Sequence, residues 1–96
     1  MSTYIALIDW TNKGIKEVKD SPARADKAKA LAEELGGSIT QLYLTMGSHD
    51  LVVIMDMPDD EAMARFALTV GRGGHIRTNT LKAFDEAAYR KLTASV

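Results

Sequence analysis

The chain predicts an α+β fold in which strands and helices follow one another as β-α-β-β-α-β, with an antiparallel sheet and a short C-terminal helix. Three observations predict it. Apolar runs of strand length recur at Tyr4–Trp10, Leu42–Met46, Leu51–Met55 and His75–Leu81. Two segments with apolar residues at helical spacing lie between the first and second runs and between the third and fourth. Each helical segment ends in a glycine cluster, and a tight polar tip joins the two middle strands. An order of this kind is the split βαβ, ferredoxin-like arrangement, which makes the first and third strands central.

The elements are justified in turn. Tyr4–Trp10 is rich in β-formers, and Thr11-Asn12-Lys13-Gly14 breaks it as a turn. Ser21-Pro22 begins a helix, with Ser21 suited to the N-cap and Pro22 to the first helical position. Ala25, Ala28, Leu31, Ala32 and Leu35 then form one narrow apolar stripe, and Gly36-Gly37 ends it. The hairpin follows, its tip Gly47-Ser48-His49-Asp50 built from turn residues. Pro58-Asp59-Asp60-Glu61 starts the next helix, with acids at the positive end of its dipole. The expected buried face is Ala62, Met63, Phe66, Ala67 and Val70, stopped by Gly71, Gly73 and Gly74. His75–Leu81 reads as an edge strand, being mixed on both faces, and Asp85–Leu92 as a tail helix.

Size and composition limit what such a fold does. The 96 residues form one domain, 1–96, long enough to bury a core. Hydrophobic residues are 46% and charged ones 26%, the balance of a soluble globular protein. A net charge of −1 argues against a nucleic-acid surface. No apolar run approaches the ~20 residues of a membrane span, and no secretory signal pattern is visible. The lack of cysteine excludes disulfides, thiolate metal sites and cysteine nucleophiles, and fits a reducing cytosol. The expected location is therefore cytoplasmic.

Patterning also predicts self-association. Strand one is apolar on both faces, Tyr4, Ala6 and Ile8 on one and Ile5 and Leu7 on the other. Strand three matches it, with Leu51, Val53 and Met55 against Val52 and Ile54. Helices cover one face of such a sheet, and soluble monomers rarely leave a large apolar patch bare. The expectation is a homo-oligomer, a dimer with sheets packed face to face. In the alternative, the tail helix or the Lys13–Asp20 loop covers that face in a monomer.

The candidate site residues gather around the hairpin tip. His49 titrates near neutrality, and a neighbouring carboxylate such as Asp50 orients or charges an imidazole. Adjacent strand residues point to opposite faces, so the pair need not touch, and Asp50 serves equally to tie down the turn. Gly47 supplies backbone freedom. Asp9 and Trp10 end strand one, where Asp9 either lines a cavity with Trp10 and Tyr43 or marks the strand end. Arg72-Gly73-Gly74-His75-Ile76-Arg77 joins exposed backbone N–H groups to positive charge, as a carboxylate or phosphate site does, but matches no phosphate-loop pattern. Two isolated histidines give no metal-ligand spacing, so neither metal nor cofactor is expected. The charged series from Lys13 through Arg24 to Lys29 reads as a solvated face.

These segments together resemble the GYD-domain family. The resemblance is carried by Tyr4–Thr11, Gly14-Ile15-Lys16, Ser21-Pro22-Ala23-Arg24, Tyr43–Gly47, Asp50–Val53, Pro58–Glu61 and Arg77–Phe84. Gly47 and Asp50 match the glycine and aspartate for which the family is named. His49 stands where the family has its tyrosine. The resemblance implies a ferredoxin-like fold with a kinship in shape to dimeric α/β-barrel proteins, and no established activity.

Three functional readings follow. The leading one is a non-catalytic, homo-oligomeric module that binds a small molecule between the helices and the sheet or at the oligomer interface, near Trp10, Tyr43, Gly47, His49, Asp50 and Arg77, or acts in regulation. The second is a small cofactor-free enzyme, an oxygenase or isomerase, with His49 as general base and Arg77 or backbone N–H groups holding the developing anion. The third is a structural or partner-binding protein.

Overall fold

A computed structural model describes all residues, 1–96. Its elements are β1 (Ser2–Trp10), α1 (Asn12–Lys16), a 3-10 turn (Val18–Asp20), α2 (Ser21–Glu34), β2 (Ser38–Leu44), β3 (Leu51–Met57), α3 (Asp60–Arg72), β4 (Ile76–Ala83) and α4 (Glu86–Ala94). The four strands form one sheet in the order β2-β3-β1-β4, antiparallel throughout, so β1 and β3 are central as expected.

The core lies on one face of this sheet. Tyr4, Ala6 and Ile8 from β1 and Val53, Met55 and Met57 from β3 are buried there. Ala32 of α2 and Ala62, Met63 and Phe66 of α3 complete the cluster. Period-two alternation in the strands and 3.6-residue periodicity in the helices thus meet at one layer, as a two-layer fold requires. Asp59 caps α3 by accepting a hydrogen bond from the Ala62 backbone N–H at 2.8 Å.

Several boundaries differ from the sequence expectation. The 11–20 segment is not an open loop. Thr11 caps α1 by accepting from the Gly14 N–H at 3.1 Å, and the 3-10 turn then runs directly into α2. Ser21 is accordingly inside the helix, with φ −55° and ψ −45°, and Asp20 occupies the cap position without a side-chain cap bond. Gly14 is required by space: a Cβ there would stand 1.9 Å from the His75 carbonyl oxygen. β2 ends at Leu44, two residues before the expected Met46, because Thr45 turns inward to close the loop.

The second sheet face lies away from α2 and α3. By register it carries Ile5 and Leu7 of β1, Val52 and Ile54 of β3, Tyr43 of β2 and Leu81 of β4. Tyr43 is 53% and Leu81 45% exposed. The tail helix α4 buries none of its residues and makes no substantial contact with any strand. The alternative in which it shields that face within one chain does not hold in this structure.

Candidate functional site

The hairpin loop is built by backbone ties. The Thr45 N–H donates to the Asp50 carbonyl at 2.8 Å, and the Thr45 hydroxyl donates to the His49 carbonyl at 2.6 Å. Asp50 fastens the loop to the end of β1 twice. Its N–H donates to the Ile8 carbonyl at 2.9 Å, and its carboxylate accepts from the Trp10 N–H at 3.0 Å. Gly47 makes the tip with φ 124°, a conformation open to glycine.

His49 does not meet Asp50. Its Nδ1 lies 3.3 Å from a carboxylate oxygen of Asp9, across the strand end. The pair is partly solvent-exposed, at 31% for His49 and 45% for Asp9, so water screens it. Arg77 is the register partner of Asp9 and shares its face. Tyr43 lies on the same face and donates its hydroxyl to Gln41 Oε1 at 3.0 Å. Trp10 follows the opposite alternation, paired in register with Ile76, and its indole Nε1 is buried without a hydrogen-bond partner. The hairpin candidates are therefore divided: Tyr43, His49 and Arg77 belong to the open face, Trp10 to the other, and Asp50 is committed to the backbone.

Two constellations involve residues other than the expected ones, although a site between the helices and the sheet was one of the two expected places for a ligand. The first is a cavity of about 380 Å³ between α2, α3 and the covered face of the sheet, with a mainly apolar lining. Arg24 and His75 line it. Glu17 links them: its carbonyl accepts from Arg24 Nη1 at 3.2 Å, and its carboxylate lies 3.3 Å from His75 Nε2. Arg24 was expected on a solvated face, yet its Nη2 is buried. Its position explains this. Arg24 stands one turn before Ala28 and two before Leu31, on the buried stripe of α2, and helical spacing alone was enough to place it there.

The second constellation joins Tyr4, Asp60 and Lys82. The Tyr4 hydroxyl donates to Asp60, and Lys82 Nζ lies 2.9 Å from the same carboxylate. Burial, and then the Asp60 carboxylate, push the Tyr4 hydroxyl above its ordinary pKa. The Tyr4 hydrogen bond, followed by Lys82, holds Asp60 below the usual carboxylate value. Asp60 in turn raises Lys82. This ties β1, β4 and the first turn of α3 together.

No group of three or more His, Cys, Asp or Glu side chains is clustered as metal ligands are. No helix is long and apolar enough to cross a membrane.

Comparisons with known proteins bear on this geometry. The glutamine synthetase and cystathionine beta-lyase binding protein of Thermus thermophilus is 27% identical over 88 residues, covering 91% of this chain and 93% of that protein. Among solved structures, a protein called FFRP-DM1 superimposes with a TM-score of 0.62 at 21% identity, covering 88% of this chain and 100% of its own. The leucine response regulatory protein of Mycobacterium tuberculosis gives a TM-score of 0.58 at 14% identity, over 88% of this chain and 51% of its own. At such identities the two structures establish the shared fold alone. The model of the GYD domain matches residues 4–93, nearly the whole chain, and this protein is a member of the GYD-domain family.

Proposed function

We propose that this protein is a non-catalytic binding or regulatory module that works in the cytoplasm as a homo-oligomer, with the open sheet faces of two copies packed against each other. The observation that carries this reading is the apolar second face: Ile5, Leu7, Val52, Ile54 and Leu81 lie together on it, opposite the face that packs on α2 and α3. A central pair of strands apolar on both faces costs solubility unless a second surface is buried on it. A self-complementary two-fold contact is the commonest way to bury it. The Thermus relative, named for binding two enzymes, supports a role in binding rather than in chemistry.

A polar small molecule would sit at the rim of that contact, where Tyr43, His49 and Arg77 share the face with Asp9. A Cβ at Gly47 would meet nothing within 4 Å, so the loop tip stands open. The exposed His49–Asp9 pair favours this over general-base catalysis, because a base needs a closed pocket around its substrate. The deciding experiment is native mass spectrometry of the purified protein under gentle desolvation. The expected result is a dimer or a larger even-numbered assembly. A monomer at all concentrations would overturn the reading.

A further inference from the structure

The cavity between α2 and α3 lies on the opposite side of the sheet from the proposed oligomer contact, and it has its own chemistry. It exists because the facing helices present small side chains to it. Ala25 and Ala28 of α2 and Ala67 of α3 line it, and the two helices touch sparsely above the sheet. Its body is apolar, floored by side chains such as Val53 and Leu42. Its volume, about 380 Å³, falls in the range of small-molecule sites, roughly 300–1,000 Å³.

One end is charged. Arg24, Lys27 and His75 line the cavity. Glu17 is the acid that approaches this group, and it is engaged at 3.3 Å with His75. Arg24 uses Nη1 on the Glu17 carbonyl and leaves Nη2 buried with no acceptor in the chain. A buried guanidinium donor without a partner is unfavourable, and a carboxylate or other oxyanion relieves it with a charge-assisted hydrogen bond once the flexible side chain turns Nη2, which the chain covers, toward the cavity. Guanidinium geometry also favours an oxyanion over a neutral acceptor.

We infer that this cavity is a binding site for an amphipathic anion, an apolar chain lying between α2 and α3 with its carboxylate on Arg24. The apolar body sets the tail, and the Arg24 guanidinium in the lining, with only Nη1 bonded within the chain, sets the head. Binding here requires no second copy of the chain, so this site and the oligomer contact stand or fall separately.

Three probes test it by isothermal titration calorimetry, with amide chemical shifts to locate the site: octanoate, octan-1-ol as the same tail without charge, and acetate as the head without a tail. Octanoate is expected to bind and to shift amides of α2 and α3. Octanol is expected to bind about ten- to a hundredfold more weakly, the value of a hydrogen bond to a charged group. Acetate is expected to give no saturable binding. Arg24→Met retains the aliphatic stem and is expected to lower octanoate affinity at least about tenfold while leaving octanol unchanged. Ala28→Leu fills the cavity and is expected to abolish both. Circular dichroism establishes that each variant is folded. Octanoate binding no tighter than octanol, equal losses of both in Arg24→Met, or shifts confined to the open sheet face would each overturn the inference. So would the absence of binding by any probe to the wild-type protein.

Discussion

Ile54 offers the sharpest test of self-association. It stands at the middle of β3, register partner of Ile5 in β1, and faces away from the core. Replacing it with threonine keeps a β-branched residue in the strand, so the isolated chain is expected to change by less than about 1 kcal/mol. The contact between copies is another matter. Full burial of an isoleucine side chain is worth about 1.5–3 kcal/mol, and Ile54 is already partly buried within one chain, so about 1–2 kcal/mol remains to be gained. A two-fold interface uses the residue twice, giving about 2–4 kcal/mol per dimer, or a roughly thirty- to seven-hundredfold weaker dissociation constant. Sedimentation equilibrium over a concentration series measures that constant, and urea unfolding monitors the fold. An Ile54→Thr protein whose dimer is as tight as the wild type would refute the placement of the contact on this face.

The remaining predictions concern how the fold is held. Asp50→Ala leaves the Trp10 N–H without its acceptor and should destabilise the protein by about 1–3 kcal/mol, with faster hydrogen exchange at Trp10 and Thr45 than elsewhere in the sheet. Exchange unchanged at these amides would show that the carboxylate does not fasten the loop. Met55→Ala empties a fully buried site and should cost about 2–5 kcal/mol by urea denaturation. Asp60→Asn tests the tie among Tyr4, Asp60 and Lys82. Because the folded protein holds this carboxyl below its ordinary value, its contribution is full above about pH 4 and is lost as the pH falls through the lower folded value. The variant should therefore be less stable than wild type at neutral pH, with the gap closing in acid. A gap that persists unchanged below about pH 3 would rule out that linkage.

The strand order was legible because two chain-local signals agreed. Alternation made Tyr4, Ala6 and Ile8 one face and Ile5 and Leu7 the other, and glycine clusters marked where each helix had to stop. The helix ends were legible where a side chain acts on its own backbone, as Asp59 does for α3 and Asp85 for α4. Ser21 misled because a 3-10 turn ahead of it carries the chain into α2 already helical. That turn is set by packing beyond the local residues.

The site residues divide along the same line. His49 was identifiable as a polar group at a hairpin tip, and the Gly-Asp frame around it marked the family. Its partner was not, since Asp9 lies forty positions away in sequence and arrives only when β1 and β3 align. Arg24 was visible on the helical stripe but was read by its charge rather than by its spacing.

By itself, then, the sequence determined which residues alternate, where helices begin and stop, and that both faces of the central strands are apolar, because these follow from neighbours within a few residues. The tertiary structure decided which distant groups meet. It set Asp9 against His49 and Tyr4 against Asp60. It also left a space between α2 and α3 with Arg24 in its lining, one guanidinium nitrogen of which has no partner. Such pairings depend on register and on the volumes of facing side chains, quantities that exist only once the sheet has closed and the helices have been laid across it.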